Sequence, residues 1–412
     1  MSARAPVTLQ GSSPSRAAHL LTARAVREHC AEVAGEAIAG GSTRFWWHEE
    51  RLGHVASYVV DVIRQRYPTL DIPFHSRWRH IAAGGFDRWG NLCSRHDLQG
   101  AERAKAAIDL VVPSVLLDAG AGAAWHFREA STGRTFDRSE GLAVASVELF
   151  ASGALSADPR EPLRSDAAAL AAVTPDRIAR AFQHTHGNEL VGIEGRAQLL
   201  ARLGAVMNSQ PQWFGTPARL GNLLDAWRAS AVSGSIAAEE ILISLLHALG
   251  AMWPGRLVAD GVPLGDCWAH PAARGGLVPF HKLSQWLTYS LLEPLADAGL
   301  AVTGLDALTG LPEYRNGGLL LDLGLIEAKD ATFHTRSLSV DEPAVVEWRA
   351  LTVIGLDRLA PLVRTPLGMD DRSFPRASML EGGTWAAGRK IAGERRQGGT
   401  PPVNVASDGT VF

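Results

Sequence analysis

The most suggestive chemistry in this 412-residue sequence lies between Leu311 and Asp322, LPEYRNGGLLLD. Glu313, Tyr314 and Arg315 precede Asn316-Gly317-Gly318, and an apolar run holding Asp322 follows. A carboxylate on a rigid turn at a pocket edge suits general-base or nucleophilic work. The bland alternative is a polar turn between a helix and a strand. A second pair of charges, Glu347 and Arg349, falls within a helical pattern that opens at Asp341-Glu342-Pro343 and runs to about Val363. Helical spacing puts Glu347 beside Ala344, Leu351 and Ile354, and Arg349 beside Val345, Val346, Val353 and Leu356. A charge among apolar neighbours must find a partner or line a cavity, because burial without one is costly. Both a structural ion pair and support for a nearby active site satisfy that requirement.

Three further constellations carry chemistry. Leu116 to Trp125, LLDAGAGAAW, joins an apolar run to Asp118 and a G-x-G turn. It resembles the cofactor loop of Rossmann-type methyltransferases, but the flanks are helical and few later strands exist to build a parallel sheet. A strand-to-helix turn that leaves Asp118 near a pocket is the reading adopted. Trp78 to Trp89, WRHIAAGGFDRW, sets Arg79, His80, Asp87 and Arg88 around a Gly-Gly break. Such a loop grips an anionic or sugar-bearing ligand if its arginine forks are free, and anchors itself to the body if they pair with Asp87. The histidines occur in loose pairs, His48/His54, His75/His80 and His184/His186, without HExxH spacing, so no metal site is expected. No GxSxG elbow, P-loop or cysteine-nucleophile signature is present.

The elements that must position these groups read as mainly helical. Helices are expected over 16–37, 54–66, 101–112, 139–151, 193–207, 218–230, 278–298 and 341–363, with another starting at Thr174-Pro175-Asp176. The apolar stretch from Ile236 to Trp253 carries Glu239, Glu240 and His247 and reads as a buried core helix. Strand signals are short, the best being Val111–Leu117 and Leu319–Ile326. The Gly- and Pro-rich stretches 260–276 and 365–402 read as ordered loops. The expected fold is a compact helical body with a few short strands: a flexible tail over 1–15, then one helical catalytic domain over 16–412. A division into two lobes near 210–235 is the alternative.

Composition sets the class. Hydrophobic residues form 46% and charged residues 20%, as in ordinary globular proteins. The net charge of −3, with both signs interspersed, gives no argument for a nucleic-acid or membrane partner. Cys30, Cys93 and Cys267 are odd in number and far apart, which fits a reducing cytoplasm rather than a disulfide framework. The N-terminal residues lack the apolar core of a signal peptide, and no run approaches a membrane span. The closing PPVNVASDGTVF ends in an apolar pair of the kind that docks.

Taken together, several segments resemble the uracil-catabolism family of fungi and bacteria, usually labelled a domain of unknown function. They are WRHIAAGGFDRW, DRSEGLAVASVELF (137–150), FHKLSQWLTYSLLEPL (280–295), LPEYRNGGLLLD, EWRALTVIGLDRLAPLV (347–363), LEGGTWAAGRKIA (380–392) and SDGTVF (407–412). The resemblance spans nearly the whole chain. It implies a pathway in which a uracil ribotide is ring-opened and urea is later freed from a ribosylurea or its 5′-phosphate, by hydrolysis of an N-glycosidic bond. The motif order is also similar to that of the queuosine-salvage nucleosidases, helical enzymes of a DNA glycosylase-like fold. In them an Asp-Tyr-Arg turn precedes a Glu-Ile-Arg-Ala helix; here Glu313-Tyr314-Arg315 and Glu347-Trp348-Arg349-Ala350 stand in those places. Glu in place of Asp at 313 lengthens the arm by one carbon.

These resemblances imply Glu313, then Asp118, as the carboxylate that stabilises an oxocarbenium-like state and handles water. Asp118, Glu140 or His281 would assist the departing urea. Arg79, Arg88 and Arg315 are candidates for a 5′-phosphate, and Trp125 or Trp286 for stacking on the urea plane. Tyr314, Glu347 and Arg349 complete the substrate-binding set. No cofactor is implied, and contact with the ring-opening enzyme is the one protein partner considered. Two other classes stay open: a metal-dependent amidohydrolase or deaminase acting on an open-ring ureido compound, and a non-catalytic partner of the ring-opening enzyme.

Overall fold

The computed structural model describes residues 15–122, 124–253 and 257–406. The tail expected over 1–15 lies outside these residues apart from Ser15, whose hydroxyl caps the Arg16–Leu20 helix by accepting from the Ala18 amide. Of the closing segment 401–412 expected to dock, residues 407–412 lie outside them as well, while Asn404–Val405 pairs in parallel with Ser337–Leu338.

Helices dominate, and most start where the sequence supplies a cap. The expected helix over 16–37 is divided at Leu21-Thr22, because the Thr22 hydroxyl accepts from Ala25 N and starts Ala23–Ile38 afresh. Thr174 caps Pro175–Ala181 in the same manner, with proline in the first turn. Leu52–Arg66, Ile193–Ser209 and Ala238–Leu249 cover the stretches expected to be helical. Strands come in short pairs. Phe45–Trp47 runs antiparallel to Ile326–Ala328, with Phe45 opposite Ala328, and Ser235–Ala237 runs parallel to Ala301–Thr303. No helix among the described residues is long and apolar enough to cross a membrane.

Four local expectations are corrected. Val111–Leu117 is not a strand: Val111 to Leu116 form the last turns of the Gly100–Leu116 helix, which is buried on every side and so mimics a strand in its unbroken hydrophobicity. Leu319 to Asp322 likewise belongs to the Tyr314–Asp322 helix, which Leu propensity favours; Gly324 at φ +74° turns the chain before the strand begins at Ile326. The stretch 365–402 is largely helical, with Arg376–Met379, a five-residue π turn at Leu380–Thr384 and Trp385–Arg395. The Trp78–Trp89 segment is a turn between two helices, Arg77–Ile81 and Arg88–Arg95, and Asp87 caps the second through Gly90 N instead of pairing with the arginines.

The apolar side chains gather in two main clusters. One is built from the middle of the chain, on the helices Gly100–Leu116, Arg138–Ala151, Ile193–Ser209, Ala238–Leu249 and Lys282–Asp297. The other joins the two ends, through Ala23–Ile38, Leu52–Arg66, Pro343–Leu367 and Trp385–Arg395. Met207, Phe214, Leu220, Trp227 and Ile236 all lie within the first cluster. The two clusters meet where the Arg77–Ile81, Arg138–Ala151 and Lys282–Asp297 helices face the Tyr314–Asp322 and Trp385–Arg395 helices, as His80 against Trp385, Glu140 with Arg389 and Lys282 with Glu313 mark.

Candidate active site

Along that seam charged groups are buried in unusual density. Asp118 follows the Gly100–Leu116 helix directly, and its side chain is only 8% exposed. Arg77 is fully buried, with Nη1 2.8 Å from Asp118 Oδ1. The same guanidinium donates from Nε to Ser114 Oγ at 2.8 Å and from Nη1 to Ser139 O at 3.1 Å, tying three helices together. Behind it, Arg196 donates to the carbonyls of Leu117, Ala119 and Gly120 and so fixes the loop that carries Asp118. Burial holds Arg196 at about 10, below an ordinary guanidinium, while the Asp118 charge pulls the other way.

Aromatic rings close one side. His80 lies one turn beyond Arg77, and its ring centroid is 5.9 Å from Trp286 and 6.0 Å from Trp385. His75 stands 5.2 Å from Trp385 and 6.2 Å from Trp286, and its Nδ1 is 2.8 Å from Glu381 Oε2 on the π turn. Burial pushes His80 down to about 4 despite the nearby Asp118 and Glu140, so its imidazole is neutral at pH 7. The Arg77 guanidinium carbon lies 5.8 Å from the Trp286 ring centroid. Two donors here, Arg77 Nη2 and Trp286 Nε1, are buried without a hydrogen-bond partner among the described residues. Leaving such donors unmade costs about 1–3 kcal/mol each, a penalty that a bound acceptor would remove.

Three helix starts complete the site. Glu140, in the first turn of Arg138–Ala151, is bonded by Arg389 Nη1 at 2.7 Å. Burial favours protonation of Glu140, yet His80 and Arg389 hold it below the usual glutamate value. Lys282 begins the Lys282–Asp297 helix; burial lowers its ammonium pKa, and the charges of Glu313, Asp266 and Asp118 oppose that shift. Glu313 caps Tyr314–Asp322: its two carboxylate oxygens accept from Arg315 N and Asn316 N, both at 2.7 Å. Helix N-termini carry partial positive charge, so their convergence favours anionic or electron-rich groups.

The structure thus gathers Asp118, Glu140, Trp286, Glu313 and Arg315 around Arg77, His80, Lys282, Trp385 and Arg389. The other candidates sit elsewhere. Trp125 is a core anchor, donating from Nε1 to Phe182 O at 2.8 Å and packing so tightly on Gly141 that a Cβ there would stand 2.9 Å from its ring. Arg88 spends its donors on Glu129, on Ile81 O and on Ala83 O. Arg79 pairs with Glu293 in a separate cleft of about 710 Å³ that also holds Asp87 and Asp297. His281 binds Leu20 O at 2.8 Å. Tyr314 donates to Val405 O at 2.7 Å.

Glu347 and Arg349 do not pair with each other. Glu347 is bonded by Ser42 and Arg44, and Arg349 grips Asp266 with two bonds of 2.8 Å. No group of three or more His, Cys, Asp or Glu among the described residues is placed to hold a metal ion.

Arg77, His80, Lys282, Trp385 and Arg389 are site residues that the sequence motifs do not single out. One signal was available: Arg77, His80 and Ile81 share a face at i, i+3 and i+4, while Arg79 points away from it. Trp385 and Arg389 repeat that spacing.

Comparison with known proteins places this architecture in a family. Uracil catabolism protein 4 of Lachancea kluyveri is 36% identical over 412 residues, which cover 90% of this chain and 93% of that protein. Protein urg3 of Schizosaccharomyces pombe is 36% identical over 411 residues, covering 97% of this chain and 100% of that protein. A family model described as "Protein of unknown function (DUF1688)" matches residues 19–412, and the chain belongs to that family.

Proposed function

We propose that this chain acts in uracil catabolism, as the name of its Lachancea relative suggests, and that it is a hydrolase cleaving the N-glycosidic bond of ribosylurea or of its 5′-phosphate. One observation carries the reading. A buried carboxylate, Asp118, stands beside Arg77, and two buried donors there, Arg77 Nη2 and Trp286 Nε1, have no hydrogen-bond partner among the described residues. Cleaving a ribosyl C–N bond builds positive charge at C1′ and the ring oxygen, and negative charge on the leaving group. Asp118 answers the first charge and takes a proton from water as the water oxygen bonds C1′. The bonding pair of the C1′–N bond goes to urea, where it delocalises onto the carbonyl oxygen. Arg77 Nη2 and Trp286 Nε1 are the donors to receive that oxygen. The proton taken from water ends on the departing nitrogen, giving neutral urea and ribose or ribose 5-phosphate.

His80 fits this scheme because it is neutral: an imidazolium there would oppose charge at C1′. Glu313 changes role relative to the sequence reading. Both of its oxygens are engaged by backbone amides of its own helix, so it is assigned to positioning, with Asp118 as the reacting carboxylate. The likeness of motif order to the queuosine-salvage nucleosidases supports the same bond class. The test is urea release by purified protein from each compound, alongside an Asp118→Asn variant. Turnover that vanishes in the variant supports the proposal; absence of urea from both compounds with folded protein defeats it.

A further inference from the structure

At the outer rim of the site stand three arginines from three different elements: Arg138, Arg315 and Arg389. Arg138 donates from Nη2 to Gly398 O at 3.0 Å, and Arg315 donates from Nη1 to Gly399 O at 2.9 Å. Their guanidiniums therefore rest on consecutive carbonyls of one turn and are neighbours. Arg389 joins them because Gly388 lets the Trp385–Arg395 helix touch the Tyr314–Asp322 helix; a Cβ at 388 would overlap the Arg315 carbonyl oxygen. Arg389 also reaches Glu140, two residues after Arg138.

Cation and anion do not balance here. Arg389 is the one member of the trio with a salt bridge among the described residues. Arg138 and Arg315 donate to carbonyl oxygens and form no salt bridge among the described residues; Glu313, whose oxygens accept from the amides of its own helix start, and Glu140 offset three guanidiniums with two carboxylates. Like charges held together in excess of their counterions are unfavourable unless a ligand supplies the anion. Burial depresses the Arg315 pKa; Arg138 and Arg389 push the same way, while Glu313 and Glu140 oppose the shift. Planar guanidinium forks from three directions suit the tetrahedral oxygens of a phosphate monoester.

We propose that Arg138, Arg315 and Arg389 form a subsite for the 5′-phosphate, and that the substrate is a ribosyl 5-phosphate rather than the free riboside. The inference rests on reading the site as a ribosyl pocket. It reassigns the phosphate contact from Arg79, which is paired with Glu293 in the separate cleft, and from Arg88, whose donors are turned to Glu129 and backbone carbonyls.

Calorimetric titration with ribose 5-phosphate and with ribose tests it without requiring turnover. Ribose 5-phosphate should bind about 30-fold tighter or more, the weight of one or two charge-assisted hydrogen bonds. Arg138→Ala, at an exposed position, should cut that preference by about fivefold or more while ribose affinity holds, and Arg389→Met should cut the preference by a similar factor. Inorganic phosphate should compete with ribose 5-phosphate. Equal affinity for the two sugars, or a preference that survives both substitutions, overturns the subsite. Selective ribose 5-phosphate binding combined with no urea release from either compound upholds the subsite and defeats the proposed reaction instead.

Discussion

Substituting Asp118 by Asn separates chemistry from stability more cleanly than any other change at the site. The side chain is 8% exposed and faces the fully buried Arg77, whose other partners are the neutral Ser114 hydroxyl, the Ser139 carbonyl and the neutral His80 ring. Truncation to Ala would leave a buried guanidinium without its counter-charge and cost about 3–5 kcal/mol. Asn keeps the shape and an acceptor oxygen for Arg77, so the expected loss is about 1–3 kcal/mol, with the fold retained. Activity should suffer far more. A carboxylate that handles water and faces developing positive charge is worth about 10²–10⁴-fold, or roughly 3–5 kcal/mol of barrier. Urea release would be followed at saturating substrate, and unfolding in urea-free guanidinium would report the folded fraction. A folded Asp118→Asn protein that keeps more than about a tenth of wild-type kcat refutes the assignment.

The other predictions probe single features. Trp286→Phe removes a buried donor that has no partner among the described residues, so stability should be unchanged or rise by up to about 1 kcal/mol while kcat falls about tenfold; a matched loss of both in melting and turnover contradicts the assigned role. Glu313→Gln should cost about 1 kcal/mol through the weakened cap at Tyr314–Asp322 and lower kcat by less than Asp118→Asn does, as paired kinetics would show. His80 gives a pH dependence. Its folded-state pKa of about 4 lies below the free value of 6.5, so the unfolded chain binds the proton first and stability is lost as pH falls from 6.5 towards 4. The loss is on the order of 2–3 kcal/mol, and His80→Gln should flatten that slope in denaturant titrations across pH. Gly388→Ala should destabilise by about 3 kcal/mol or displace Arg315, which its melting temperature and ribose 5-phosphate affinity would reveal.

Helices with a polar start were legible because the cap residues announce themselves: Thr174-Pro175 is read from sequence and found in place. The Val111–Leu116 and Leu319–Asp322 stretches misled because helices buried on all sides lose the 3.6-residue alternation that distinguishes them from buried strands. Asp118, Glu313 and Glu347 were each recognisable as carboxylates in apolar company, but sequence spacing says nothing of which long-range partner each finds. Glu347 finds Ser42, and Arg349 finds Asp266. Arg77 and Arg79 stand two residues apart on one short helix; Arg77 shares its face with His80 and Ile81 and is buried, while Arg79 points away and pairs with Glu293. The Trp385/Arg389 pair was hidden by the glycines of LEGGTWAAGRK, which read as a loop yet form a π turn and a helix.

The central claim is that water attacks the ribosyl carbon and leaves urea whole. Complete conversion of ribosylurea 5-phosphate by the purified protein, with ribosyl product, urea, ammonia and carbon dioxide all quantified, tests it directly. One urea and one ribose 5-phosphate per substrate, with no ammonia, is the expected stoichiometry. Ammonia and carbon dioxide in place of urea would show attack at the ureido carbon and contradict the account.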